Sequence, residues 1–161
     1  MMSRILSLVA TLALLSACNS PLLNHVEADE IIRTPSTEKP SECPLSFPKQ
    51  GLCASWTWEN PPNDQDFAQA RIVFWKAQQG SIDSPELDPA LTVFAKLWMP
   101  SMGHGSSPVS VQAHTDETGN VVPGTFDASR VFFSMPGDWE VWLQLKQDGK
   151  VLEQAKLDVS I

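Results

Sequence analysis

Soft metal-binding side chains are concentrated in the segment Trp98–Val109, with the sequence Trp-Met-Pro-Ser-Met-Gly-His-Gly-Ser-Ser-Pro-Val, which we call the Met/His loop. It contains the thioethers of Met99 and Met102 and the imidazole of His104. Its prolines and glycines keep the backbone from continuing as a helix or a paired strand. Thioether sulfur and imidazole nitrogen suit copper, above all Cu(I), better than magnesium or calcium, which prefer oxygen. The alternative is an ordinary loop whose methionines fill gaps in an apolar rim.

Catalytic motifs are absent from the sequence, which has no nucleophile elbow, no His-Glu-x-x-His and no glycine-rich phosphate loop. The carboxylates of Asp127, Asp138 and Glu140 are interpreted as turn and surface groups rather than as an acid and base pair. His25 is expected to be an inert solvated residue, and His114 a solvent-facing strand residue rather than a ligand. We therefore expect a binding protein and not an enzyme.

The first residues have the features of a bacterial lipoprotein signal. Arg4 precedes an apolar run, Ile5–Leu15, that is too short to span a bilayer but suits an export signal. The sequence Leu-Ser-Ala-Cys follows at 15–18 and resembles the site at which such signals are cleaved before an acylated cysteine. Residues 1–17 are thus predicted to be a signal peptide, and Cys18 to be the lipid anchor.

Residues 18–42 are predicted to be the acylated cysteine and a flexible tether, because their composition is polar, acidic and without aromatic residues. In lipoproteins of this resemblance, Asn19 after the anchor permits export to the outer membrane. We therefore expect the protein at the periplasmic face of the cell envelope, in the outer rather than the inner membrane. The formal charge of −8 makes nucleic acid a poor partner, so the lipid anchor alone is expected to hold the protein at a membrane.

The cysteines at 43 and 53 are the only pair left if Cys18 is acylated. An exported protein meets an oxidising compartment, so we predict a disulfide between Cys43 and Cys53. This bond would close a loop of about eleven residues and stabilise the fold by up to about 3 kcal/mol. The less favoured alternative is that both thiolates join the metal site, although they lie far from Met99 in the sequence.

From Gly51 onward, apolar and polar residues alternate in short runs, which is the pattern of β-strands, and no run has a helical period. About seven strands with no helix-length connection predict an all-β, immunoglobulin-like antiparallel sandwich over residues 43–161. The runs interpreted as strands are Leu52–Trp58, Phe67–Ala77, Leu91–Trp98, Val109–His114, Gly124–Ser134, Trp139–Lys146 and Val151–Ile161.

The run Gly124–Ser134 has two interpretations. It is either one strand with a bulge, because the alternation slips between Ala128 and Val131, or two short strands. In an antiparallel meander, one strand brings Met135 to the same end as His104, within about 10 Å, whereas two strands leave it about 20 Å away. We favour the single bulged strand.

Two motifs together resemble the YtkA-like domain, a family close to the FixH-like proteins. They are Met-Pro-Ser-Met-Gly-His-Gly at 99–105 and Phe-Ser-Met-Pro-Gly-Asp-Trp-Glu-Val at 133–141. The resemblance implies an exported or membrane-tethered β-sandwich, and some neighbouring families are tied to copper handling or to the assembly of haem-copper oxidases. Carried onto this sequence, it gives a candidate copper site made of Met99, Met102, His104 and Met135.

Two functions remain open at this point. The first is an exported copper-binding lipoprotein that holds Cu(I) for metal handling or oxidase assembly. The second is a metal-free immunoglobulin-like interaction module, whose exposed Trp75, Trp98 or Trp142 contacts another envelope protein. A β-sandwich fits both functions, because a fold does not decide the activity that it carries.

Overall fold

The structure, a computed structural model, describes residues 43–63 and 66–161. The predicted signal peptide, the lipid anchor Cys18 and the tether lie outside the described residues. Within the described ranges, no helix has the length and apolar character needed to cross a membrane.

Two antiparallel sheets make up the described part of the chain. The strands are β1 (Leu45–Phe47), β2 (Leu52–Asn60), β3 (Ala68–Lys76), β4 (Thr92–Met99), β5 (His104–Gly105), β6 (Ser110–Thr115), β7 (Val121–Val131), β8 (Asp138–Gln147) and β9 (Lys150–Ser160). One sheet has the order β1-β2-β3-β7-β6, and the other has the order β5-β4-β8-β9. The predicted all-β sandwich is confirmed: each of the predicted runs overlaps one strand, although β7 begins and ends three residues earlier than the run Gly124–Ser134, and the short β1 and β5 are additional.

The core lies between the sheets and follows from the alternation of apolar and polar residues along each strand. On β4 the buried side chains are those of Val93, Ala95, Leu97 and Met99, and on β8 they are those of Trp139, Val141, Leu143 and Leu145. The residues between them, such as Trp98 and Trp142, remain partly exposed on the outside of the four-stranded sheet. This sheet therefore has one apolar face and one mixed face.

Strand β7 is a single strand with a bulge, as predicted. Ala68 pairs with Val131 and Ala70 pairs with Ala128, so β7 has one extra residue between these two pairs. Arg130 in this stretch has a φ of 57°, an uncommon left-handed conformation for a residue with a side chain. Because β7 is one strand, it returns the chain to the end of the sandwich at which β4 enters the Met/His loop.

A disulfide joins Cys43 to Cys53, with sulfur atoms 2.10 Å apart and Cα atoms 5.1 Å apart. It ties Cys43, which lies two residues before the start of β1, to the second residue of β2. Neither cysteine is a free thiolate in this structure, so the predicted pairing is present and the alternative of two thiolate ligands is not.

Replacing both cysteines by serine, as Cys43→Ser with Cys53→Ser, is expected to lower the free energy of unfolding by about 3 kcal/mol, because the unfolded chain gains the freedom of the opened loop. Urea denaturation in a Cys18→Ser background measures this difference. In the same background, the unreduced denatured parent should contain no free thiol. Two free thiols would contradict the disulfide.

Trp75 is covered, so the expectation that it is an exposed anchor is wrong: only 5% of its surface is accessible. The turn after β3 folds back, with the Gly80 N–H donating to the carbonyl of Lys76 at 2.9 Å. A β-carbon placed on Gly80 would lie 3.3 Å from the Cβ of Trp75, so the backbone of this turn lies against the tryptophan. Trp75 therefore offers little surface to a partner.

Candidate metal centre

The Met/His loop leaves β4 at Met99 and returns at once as β5. The backbone N–H groups of Met102 and Gly103 both donate to the carbonyl of Met99, at 3.2 Å and 2.9 Å, and close a tight turn. His104 then pairs directly with Met99 across β4 and β5. Directly paired residues point to the same face, with β-carbons about 5 Å apart. The turn therefore makes the thioether of Met99 and the imidazole of His104 neighbours.

The four predicted ligands differ in their exposure to solvent. Met99 is 6% exposed and belongs to the core, whereas Met102 is 60% exposed at the tip of the turn. His104 and Met135 are half-buried. Three of the four residues are therefore at least partly shielded from water, and Met102 is the accessible one.

The imidazole of His104 has two fixed contacts. Its ring centroid lies 6.0 Å from that of Trp139, with the ring planes at 74°. Its Nδ1 lies 2.9 Å from the carbonyl oxygen of Gly105. Because a carbonyl oxygen only accepts hydrogen bonds, Nδ1 carries the proton in this contact, and Nε2 keeps a free lone pair in the neutral ring. Metal-binding histidines are commonly oriented by such a bond from the other ring nitrogen.

Met135 contacts the same tryptophan through its backbone. The indole Nε1 of Trp139 donates to the carbonyl oxygen of Met135 at 2.9 Å. Trp139 is 1% exposed, so this N–H is satisfied inside the core. Met135 and His104 thus lie at the same end of the sandwich, and both contact Trp139. The role of each residue as a metal ligand stays a prediction.

Gly137 explains how the two motifs pack against each other. A β-carbon placed on Gly137 would lie 2.7 Å from the terminal methyl carbon of Met99, so the end of this side chain lies against the glycine backbone. Gly137 also exchanges two backbone hydrogen bonds with Ile161, at 3.0 Å and 3.1 Å. Sequence reasoning missed the parts played by Gly137 and Trp139, although the spacing Met-x-Gly-x-Trp contains both.

His114 and Asp127 are paired, which corrects the expectation that His114 faces solvent. Only 23% of the His114 side chain is exposed, and its Nδ1 lies 2.9 Å from Asp127 Oδ2. Asp127 lies on β7, inside the single strand that we favoured, and it is not an isolated surface carboxylate, because it also accepts from Arg71 Nε at 2.7 Å. Gln112 pairs directly with Asp127 across β6 and β7, and His114 lies two residues after Gln112. His114 is therefore the diagonal neighbour of Asp127, and its side chain can reach the carboxylate.

The carboxylate of Asp127 is expected to make stability depend on pH. Burial raises its pKa, but the hydrogen bonds from His114 and Arg71 and the charge of Arg71 outweigh burial, and they hold the pKa below its usual value. The stabilisation is therefore present above the pKa of the unfolded state, about 3.9, and is lost as the pH falls through the lower folded pKa. Urea denaturation between pH 2 and pH 6 should show a shallower acid-side decline for Asp127→Asn than for the parent. A decline as steep as the parent's, or the same flattening in the exposed Asp148→Asn, would contradict this role.

No cluster of three or more histidine, cysteine, aspartate or glutamate side chains that could hold a metal ion occurs in residues 43–63 and 66–161. Methionine sulfur is not among those ligand types, so the candidate centre depends on its thioethers and on His104. Comparisons with protein-family models, curated proteins and solved structures find no match for this chain.

Proposed function

We propose that the protein is an exported lipoprotein of the YtkA-like kind whose β-sandwich binds Cu(I) at the Met/His loop. The observation that supports this most is the contact of one buried residue, Trp139, with both motifs. Its ring packs on His104, and its N–H donates to the carbonyl of Met135. Residues that can supply soft ligands are thus brought from two distant parts of the sequence to one end of the sandwich.

The chemistry of the side chains fits Cu(I). Thioethers and a neutral imidazole bring no negative charge, and soft sulfur ligands select Cu(I) over the hard divalent ions. Met99 lies in the core, where water is excluded. The bond between His104 Nδ1 and Gly105 leaves Nε2 for the metal. The exposed Met102 would be the first thioether that an incoming ion meets.

Anchored through an acylated Cys18 at the periplasmic face of the outer membrane, such a domain would handle copper in the envelope or serve the assembly of a haem-copper oxidase. The supporting features are the lipoprotein-like signal and the two motifs. Nothing in the proposal requires a catalytic step, and the protein is proposed to be a binding protein rather than an enzyme.

Competition for Cu(I) tests the proposal directly. The full chain with Cys18→Ser is used, because an unmodified thiol at this position would itself bind Cu(I). Titrated against the chelator bicinchoninate, the folded protein is expected to withdraw one equivalent of Cu(I). A chain that withdraws none, at protein concentrations well above that of the metal, would exclude copper binding.

The second candidate is the metal-free interaction module, and it is favoured by Trp98 and Trp142. Both side chains are half-buried on the outer face of the four-stranded sheet, whereas Trp75 is covered. An envelope protein docked there would use them as aromatic anchors. Two results together would support this candidate instead. The chain would have no affinity for Cu(I), and the substitution Trp98→Ala would abolish its binding to an envelope protein.

A further inference from the structure

A row of aromatic rings crosses the outer face of the four-stranded sheet. Phe94 and Trp98 lie on β4, and Trp142 lies on β8; all three are half-buried. Phe94 pairs with Gln144, and Trp98 pairs with Glu140, so Trp142 lies diagonally between the two β4 rings. Diagonal neighbours in a sheet are about 7–8 Å apart. The positions of the three residues therefore succeed one another along the strand direction, with Trp142 displaced by one strand from Phe94 and Trp98.

A shallow groove of about 210 Å³ runs beside the two tryptophans. Its lining residues are Lys96, Trp98, Glu140, Trp142, Gln144 and Gln154. Gln144 Nε2 donates to Gln154 Oε1 at 2.9 Å, which uses one donor and one acceptor of this amide pair. The oxygen of Gln144 and the nitrogen of Gln154 therefore have hydrogen-bonding capacity left for a ligand.

The carboxylate of Glu140 is held in a fixed position in this groove. It accepts from Trp142 Nε1 at 2.9 Å and contacts Lys156 Nζ at 2.5 Å. Lys156 also contacts Asp158 at 3.1 Å. These pairings compensate the negative charge locally, although the whole chain has a formal charge of −8. The carboxylate keeps lone pairs that a hydroxyl group can use.

Two lysines lie over the end rings of the row. Lys96 Nζ is 4.5 Å from the ring centroid of Trp98, and Lys146 Nζ is 3.6 Å from that of Phe94. Cation–π contacts at exposed sites are weak, and lysine side chains are flexible. A ligand that stacks on a ring can therefore move the ammonium group to the ring edge, where it remains a hydrogen-bond donor.

Three classes of ligand fit this face less well than a glycan. An envelope protein, the partner in the second candidate function, would use the same two tryptophans, but the centre of a protein interface is depleted of lysine and glutamate, and Lys96 and Glu140 line this groove. Nucleic acid binds through an excess of positive charge, which the paired charges here do not provide. A compact small molecule usually occupies a cavity of roughly 300–1,000 Å³, which is larger than this groove. A chain of sugar rings, in contrast, has flat apolar faces bordered by hydroxyl groups.

We propose that the outer face of the four-stranded sheet binds an extended, uncharged glycan. Sugar rings would stack on Trp98 and Trp142, and their hydroxyl groups would bond to Glu140, Gln144 and Gln154. Because the three aromatic residues succeed one another along the strand direction, the face suits an extended β-1,4-linked chain better than a coiled α-1,4-linked one. None of the candidate copper ligands Met99, Met102, His104 and Met135 lines this groove, so the proposal does not depend on copper binding.

Isothermal titration of the Cys18→Ser chain with four defined probes tests this proposal. Cellohexaose and chitohexaose are extended, maltohexaose is coiled, and hexathymidylate represents nucleic acid. We expect at least one extended hexaose to bind, and maltohexaose to bind at least about tenfold more weakly, a difference of about 1.4 kcal/mol. Failure of both extended hexaoses to bind would overturn the proposal. Tighter binding of hexathymidylate, with a steep salt dependence, would assign the face to nucleic acid instead.

Substitutions then locate the binding. Trp142→Ala is expected to weaken binding of the extended hexaose at least about tenfold, and Gln154→Ala about threefold. Phe67→Ala is the matched control, because Phe67 is an exposed aromatic residue that precedes β3 in the other sheet. Circular dichroism verifies that each variant is folded. Unchanged affinity in the folded Trp142→Ala chain, or an equal loss in Phe67→Ala, would overturn the assignment to this face.

Discussion

Replacing Trp139 by alanine is expected to lower the free energy of unfolding by about 3–5 kcal/mol, the range found when a large buried aromatic side chain is truncated. Trp139 is among the largest fully buried side chains, and its ring also packs on Phe133 at a centroid distance of 5.5 Å. A domain of this size is commonly stable by only about 5–15 kcal/mol in total. The variant should therefore show a much lower urea midpoint than the parent in a Cys18→Ser background.

A milder substitution distinguishes the contribution of the Trp139 ring to stability from that of its N–H group. Trp139→Phe keeps an aromatic ring but leaves the carbonyl of Met135 without its donor, which should cost about 1–3 kcal/mol in addition to the lost packing. Trp142→Ala is the control, because Trp142 is only half-buried and should affect stability less. A loss for Trp139→Ala no larger than that for Trp142→Ala would contradict the central position of Trp139 in the core.

The largest effect on Cu(I) binding is expected from His104→Ala, because it removes the only imidazole of the candidate centre. We expect the affinity in competition with bicinchoninate to fall at least about 100-fold, the upper end of what loss of an outer-shell partner causes at metal sites. His114→Ala is the matched control: its imidazole is paired with Asp127 on the five-stranded sheet, and its loss should leave the affinity for Cu(I) unchanged.

Met135→Leu tests whether the second motif contributes a ligand. The substitution keeps a similar volume while removing the sulfur, so the free energy of unfolding should change by less than about 1.5 kcal/mol. The affinity for Cu(I) should nevertheless fall at least about tenfold. If Met135→Leu binds as tightly as the parent while His104→Ala does not, the Met/His loop acts alone. If neither substitution matters, the copper proposal fails.

The long strands and their buried faces could be predicted from the sequence, because burial of one face of a strand requires apolar and polar residues to alternate along it. Val93, Ala95 and Leu97 are buried as their spacing predicts, and the slip after Ala128 marks a real bulge. The short strands β1 and β5 could not be found in this way, since two or three residues are too few to show a period.

Packing between distant segments could not be read from local patterns. Alternation places Trp75 on the outside of its sheet, but it does not reveal that the side chain is buried there or that the turn at Gly80 lies against its Cβ. Counting Gly124–Ser134 as one strand places Met135 near the Met/His loop. It does not reveal that the indole of Trp139 contacts both His104 and Met135. The position of His114 against Asp127 likewise depends on the register of β6 and β7, which the separate runs do not specify.

The unequal burial of the methionines also orders them by their susceptibility to oxidants. Exposed Met102 is open to conversion to its sulfoxide, a lesion that methionine sulfoxide reductases can reverse, whereas Met99 is buried in the core. An oxygen added to the sulfur of Met99 would have to fit where its methyl end already lies against Gly137. Mild peroxide should therefore modify Met102 first and leave the sandwich folded, while damage at Met99 requires the strand ends to separate.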